Sequence, residues 1–333
     1  MNKVIYFFCL LLIYSCEKDE INIEKEDRGG LNSTEINLQS NLNYSQFNYH
    51  NQVFFNLDNN NIVKESLKTS WDLAFEATAS GWRIILNSSK FCDVVELEGY
   101  IFDNEISLSE IDTLTKRWDR PEGINYDYGT AIGDYRNKNS VFIINRGFNL
   151  DGTTYDKKKL VVDEVNESYY NIRYSDLNNT NIVSKIIYKN DKTNFQYLSF
   201  ENDSVIDIEP ENNDWDIVFT QYTHIFESTD PPSYLVTGVM TNYLQNITVA
   251  KDTSYFFEDI SYDNLNEFDF SNNQDQIGYN WKEYSLSTAS YVVNTGINYI
   301  IKNRDNKYFK LRFIGFYNAN GQRGYPTFEF QEL

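Results

Sequence analysis

Side chains that could ligate a metal or act as nucleophiles are scarce in this chain. It has two histidines, His50 and His224, and two methionines, of which Met240 lies far from the start and Met1 opens the chain. Its three cysteines are Cys9, Cys16 and Cys92. A zinc site of ordinary composition draws on three or four Cys and His ligands and would have to borrow carboxylates here. Enzyme signatures are missing: there is no His-Glu-x-x-His, Gly-x-Ser-x-Gly, phosphate loop or Gly-x-Gly-x-x-Gly. Acidic residues number 49 against 29 basic ones, a formal net charge of -20. No pair of them stands out as a glycosidase couple. The run Asp263-Asn264-Leu265-Asn266-Glu267 lacks the glycine and ligand spacing of a dedicated calcium loop. A polyanion needs a basic face, so the charge argues against nucleic acid as a partner. No enzyme is expected, and the nitrogen and sulfur donors open to a metal outside the cysteines and Met1 are His224, Met240 and His50. Cys92 is expected to be a small buried residue.

The elements that must position those donors read as strands. Hydrophobic residues make up 41% of the 333 and aromatics 16%, enough for a sizeable core. From Gln52 onward the period is mostly two. β-rich runs recur at Val53-Phe54-Phe55, Trp82 to Leu86, Val141 to Ile144, Leu160 to Val162, Ile182 to Tyr188, Tyr234 to Val239 and Tyr308 to Phe313. Turns fall to the 42 asparagines, which tolerate left-handed backbone. The pattern predicts an all-β, mostly antiparallel protein. A capping box at Ser107-Leu108-Ser109-Glu110 predicts one helix, with Leu108, Ile111, Leu114 and Trp118 at helical spacing. A weaker helical turn is expected between Asp259 and Phe268. If Trp215 to Phe226 is one strand, His224 shares a face with Asp216 and Tyr222, opposite Trp215 and Phe219.

The first residues carry an address. Lys3 and the apolar run Val4 to Ile13 form a signal-peptide core too short to span a bilayer. Residues 1–15 are therefore expected to be a lipoprotein signal peptide, because Ile13-Tyr14-Ser15-Cys16 resembles a bacterial lipobox, with Cys16 the lipidated residue. Cys16-Glu17-Lys18-Asp19-Glu20 resembles the surface-export signal of Bacteroidetes lipoproteins. Residues 16–45 read as a flexible tether. The expected address is the outer membrane, held through a lipid and facing outward.

The chain also repeats itself. Trp71-Asp72-Leu73-Ala74-Phe75 matches Trp215-Asp216-Ile217-Val218-Phe219, and Tyr169 to Tyr174 matches Tyr308 to Phe313 in the same order. Two related β units are expected, 46–190 and 191–333. In each motif the Trp, the φ residue and the Phe (Trp71, Leu73, Phe75) should face the core together. The Asp should serve a nearby turn or pair with Arg173 or Arg312.

These residues resemble the HmuY family of haem-binding surface lipoproteins. The resemblance rests on the two Trp-Asp motifs, each followed by a strand ending in Asn (Ile84 to Asn87, Thr237 to Asn242). It is completed by the closing strand Tyr308 to Phe313 and the run Gly321 to Pro326. It implies an all-β fold that grips haem, or a related tetrapyrrole, and passes it to a TonB-dependent outer-membrane receptor. Family members ligate through paired His, or with Met replacing one or both. Here His224 is the first candidate, Met240 its best partner and His50 the runner-up. The competing expectations are a glycan-binding surface lipoprotein, using Tyr and Trp faces, and a structural or adhesive one without haem.

Overall fold

The computed structural model describes residues 29–39, 49–123, 129–136, 140–226 and 232–333. The signal peptide, Cys16 and most of the tether lie outside them. The described chain is all-β and antiparallel. Its first strands are β1 (Asn32–Glu35), β2 (Asn51–Asn56), β3 (Asn61–Leu67), β4 (Leu73–Glu76) and β5 (Ile84–Leu86). Then come β6 (Asp93–Glu98), β7 (Ser140–Asn145), β8 (Lys158–Val165), β9 (Tyr169–Ser175) and β10 (Val183–Tyr188). The second half holds β11 (Phe195–Ser199), β12 (Ser204–Ile206), β13 (Ile217–Ile225), β14 (Ser233–Thr241) and β15 (Thr248–Asp252). It ends with β16 (Lys282–Ser285), β17 (Ser290–Val293), β18 (Asn298–Lys302), β19 (Tyr308–Tyr317) and β20 (Arg323–Glu332).

These strands make two sandwiches and a small hairpin, β16–β17. In one sandwich the sheet β10-β9-β8-β7-β6 packs on β12-β11-β4-β5. Phe75 meets Tyr170 edge-on at 5.2 Å in its core. In the other, β1-β20-β19-β18-β15 packs on β14-β13-β2-β3, with Phe55 and Phe219 both 5.3 Å from Phe328. Alternating apolar residues on the strands supply both cores, as period two requires. The expected units 46–190 and 191–333 do not coincide with the sandwiches, since each four-stranded sheet takes a hairpin from either side of that boundary.

Several expectations need correction. The tether was expected to run through residue 45, yet Asn32–Glu35 is a strand on β20, and Ile36 and Leu38 are buried in the core. Alternation in Ile36-Asn37-Leu38 drives this, since both apolar side chains gain burial on one face. The helix is a single turn, Leu108–Ile111, with its capping box formed as expected. It stops before Leu114 and Trp118 because the backbone of Arg117 bonds both ways with Val94 at the edge of β6. The second helical turn exists as 3-10 turns at Phe257–Asp259 and Tyr262–Glu267.

The Trp-Asp motif is not a straight strand. Trp71 packs with Ala74 and Tyr197, while Leu73 and Phe75 enter the other core. Trp215 likewise joins Val218 and Tyr222, away from Ile217 and Phe219. The chain bends at each Asp, and β4 and β13 begin only at the next residue. Asp72 pairs with neither Arg173 nor Arg312. Its carboxylate meets Lys90 Nζ at 2.6 Å and Arg146 Nε at 2.9 Å, all three buried. Burial alone would raise its pKa, but the two cations hold it below the usual carboxylate range. Arg173 pairs with Asp163, and Arg312 with Glu329 and Glu258. Cys92 is buried, as expected, and burial pushes its thiol up to about 12.

Candidate functional site

The sheet β14-β13-β2-β3 carries all three candidate donors or their flanks. His224 lies near the end of β13, opposite Tyr234 of β14, and Met240 lies opposite Val218. Directly opposed residues share a face, so His224 and Met240 look the same way. They are six positions apart along the ladder, however, or about 20 Å at roughly 3.3 Å per residue. Two axial ligands of one iron stand only about 4–5 Å apart, given metal–nitrogen bonds of about 2 Å. The ladder thus sets His224 and Met240 well apart along the sheet. Met240 is buried among Phe54, Trp215 and Val218. His50 precedes β2 and is also buried, and its carbonyl accepts from the Lys68 amide at 2.8 Å. The hydrogen-bonded pairing of β2 with β13 ends at Val53 and Phe219, before His50 is reached.

His224 alone of the three is partly exposed, at 23% of its side chain. Its Nδ1 is buried and has no hydrogen-bond partner among the described residues. The exposure therefore falls on the rest of the ring. Asp275 Oδ2 lies 3.8 Å from Nδ1. A metal-bound imidazole is commonly oriented by a carboxylate on its other nitrogen, which here would leave Nε2 for a metal. Phe226 and Tyr279 meet the ring edge-on at 4.7 and 5.0 Å. Burial lowers the His224 pKa, with Glu122 opposing and Arg120 adding to the shift, so the imidazole is neutral at pH 7 and competent to ligate. Burial, helped by Glu122, raises Asp275 to about 6. Among the described residues no three His, Cys, Asp or Glu side chains gather as a metal cluster.

A cavity lies between the two sandwiches, lined by Phe54, Trp71, Tyr197, Trp215, Met240 and Glu209 among others. Its volume is about 100 Å³. This is well under the roughly 300–1,000 Å³ of ordinary ligand pockets. No tetrapyrrole fits inside it. Trp71 Nε1 donates to Gln52 Oε1 at 2.9 Å, whereas Trp215 Nε1 is buried without a partner among the described residues. Glu209 accepts from the amides of Asn194 and Phe195 and from Tyr197 Oη, and burial raises its pKa to about 7. Sequence reasoning missed Glu209, Asp275 and Glu122, because nothing separates them from the other acidic residues until the fold brings them to a cavity or to His224.

Residues 191–330 match the model of the HmuY protein family. No curated protein is significantly similar to the chain. Among solved structures, the apo HmuY analog of Tannerella forsythia aligns over 92% of this chain and 98% of its own, at 9% identity and a TM-score of 0.32. Apo PinO from Porphyromonas gingivitis aligns over 92% and 99%, at 8% identity and a TM-score of 0.32. A candidate HmuY-like heme binding protein from Bacteroides vulgatus aligns over 40% and 82%, at 17% identity and a TM-score of 0.21. The resemblance to HmuY thus stands on the sequence match over 191–330.

Proposed function

We propose, from the HmuY match over residues 191–330, that this protein is a non-enzymatic surface lipoprotein that binds haem or a related tetrapyrrole and delivers it to an outer-membrane receptor. Lipid on Cys16 would anchor it to the outer membrane. The observation that carries the binding role is His224: a neutral, partly exposed imidazole with Asp275 behind Nδ1 and two aromatic rings at its edges. Haem would supply an iron that takes one axial nitrogen from this chain. The buried positions of Met240 and His50 support attachment at an open face through one ligand, and the cavity between the sandwiches is too small to take part. Tyr279 and Phe226 offer apolar edges against which a porphyrin can lie.

Haemin titration of the mature chain tests this reading. The wild type should develop a shifted Soret band with saturable binding. His224→Ala should lose the shift and at least tenfold in affinity, while Met240→Leu should bind as the wild type does. An unchanged Soret band in His224→Ala removes the site, and the absence of any band in the wild type removes haem. Quenching of Trp fluorescence by sugars, without such a band, would favour the glycan-binding alternative.

A further inference from the structure

The two Trp-Asp motifs sit in matching sets of hydrogen bonds. At the first, Asp72 N donates to Leu198 O at 2.8 Å, and Phe200 N donates to Asp72 Oδ2 at 2.8 Å. Asn87 N donates to Asp72 O at 3.0 Å, and Asn87 Nδ2 bridges the carbonyls of Lys68 and Trp71, both at 2.7 Å. At the second, Asp216 N donates to Phe55 O at 2.9 Å, and Leu57 N donates to Asp216 Oδ2 at 2.8 Å. Asn242 N donates to Asp216 O at 2.8 Å, and Asn242 Nδ2 bridges Asn212 O and Trp215 O at 2.8 and 3.0 Å. Each Trp takes an aromatic ring edge-on: Tyr197 on Trp71 at 4.9 Å, Phe54 on Trp215 at 5.0 Å. Each Asn leads into a 3-10 turn that ends on a left-handed residue, Phe91 with φ 65 and Asn246 with φ 60. A strand follows in both cases, β6 or β15.

The partners are crossed. The hairpin β2–β3 precedes the first motif in the chain but pairs with β13 of the second, Phe54 opposite Val218. The hairpin β11–β12 precedes the second motif but pairs with β4 of the first, Tyr197 opposite Ala74. In both places the visiting hairpin supplies the same three things: an aromatic ring for the Trp, a carbonyl for the Asp amide and an amide for the Asp carboxylate. Sheet extension by a hairpin takes its affinity from the main chain and its selectivity from such side-chain anchors.

We infer that the chain consists of two copies of one β unit whose leading hairpins have changed places, so that each Trp-Asp strand is a docking slot for the hairpin of the other copy. The slot at β13 takes β2–β3 from the same chain, and the stretch matched by the HmuY model is completed by residues that lie outside it. The two copies are thereby interlocked, and neither is a closed body alone. This holds whether or not the protein binds haem.

Cysteine pairs in the full-length mature protein distinguish the arrangements. Residues directly opposite on antiparallel strands have Cα atoms about 4.5–5.5 Å apart, within disulfide reach. Oxidation of Phe54→Cys/Val218→Cys should give a near-complete intrachain disulfide, mapped by peptide mass spectrometry. Tyr197→Cys/Val218→Cys, the pair expected if each hairpin stayed with its own copy, should give less than a tenth of that yield. The reverse pattern overturns the inference, and so does a disulfide-linked dimer from Phe54→Cys/Val218→Cys. If the cysteine variants fail to fold, hydrogen exchange on Asp216→Ala decides. Exchange should quicken about tenfold in residues 51–67, which lose the bond to Leu57 N, and remain unchanged in 195–206. Faster exchange in 195–206 alone refutes the crossing.

Discussion

Glu209 offers a direct measurement of what the junction between the sandwiches costs. It is buried at 3% exposure, and its carboxylate accepts three described hydrogen bonds, from two backbone amides and Tyr197 Oη. Burial nevertheless wins and raises its pKa from 4.5 to about 7. With the folded pKa above the unfolded one, the folded state holds the extra proton between about pH 4.5 and 7. Stability from this group is therefore fully present below pH 4.5 and is lost as pH rises through 7. Raising this carboxyl from 4.5 to about 7 corresponds to roughly 3 kcal/mol. Glu209→Gln keeps an acceptor for the two amides and removes the charge. Urea unfolding at pH 4.5 and pH 8 should show the variant near wild type at the lower pH and up to about 3 kcal/mol more stable at the higher. The difference between the two proteins matters, because self-repulsion from the net charge acts on both alike. If Glu209→Gln is destabilised equally at both pH values, the carboxylate is ionised in the fold and the reasoning fails.

Other outcomes follow from the same contacts. Asp72→Ala strands Lys90 as a buried cation without a carboxylate and leaves Arg146 with Glu201 alone, and should cost about 3–5 kcal/mol in chemical denaturation. Trp71→Phe and Trp215→Phe both lose ring volume in a core, but only Trp71→Phe leaves Gln52 without its indole donor, so it should cost about 1–3 kcal/mol more than Trp215→Phe; equal losses in thermal melts would contradict the asymmetry. Gly147→Ala should destabilise by about 2–4 kcal/mol, because φ is +70 and a Cβ there would lie 1.9 Å from the Lys90 carbonyl oxygen. Haem affinity, if carried by His224, should hold at neutral pH and fall only below the ordinary imidazole range, since burial lowers that pKa; a loss already complete at pH 7 would exclude an imidazole ligand.

The strands were legible because short β-rich apolar runs are a local signal. Val53 to Phe55, Val141 to Ile144 and Tyr308 to Phe313 all lie in strands where such runs placed them. The capping box at Ser107 was legible for the same reason, since its two bonds span three residues. The length of that helix was not, because Arg117 answers to Val94, a partner 23 positions earlier. The bend at each Trp-Asp step was equally hidden: it is set by Leu198 and Phe200 for Asp72, and by Phe55 and Leu57 for Asp216, all more than 120 residues away. The same distance problem governs the candidate site. That Met240 lies on the strand beside His224 was legible from the hairpin-like connection, but the register and the separation depended on where the β13–β14 hairpin turns.

β20 is a central strand, with β1 on one side and β19 on the other. β20 therefore receives a strand nearly 300 residues upstream. Such long-range closure is slow, since loop entropy is lost before the contact rewards it. The second sandwich cannot close without β20, and removing that strand would leave the inner edges of β1 and β19 bare, an invitation to aggregate.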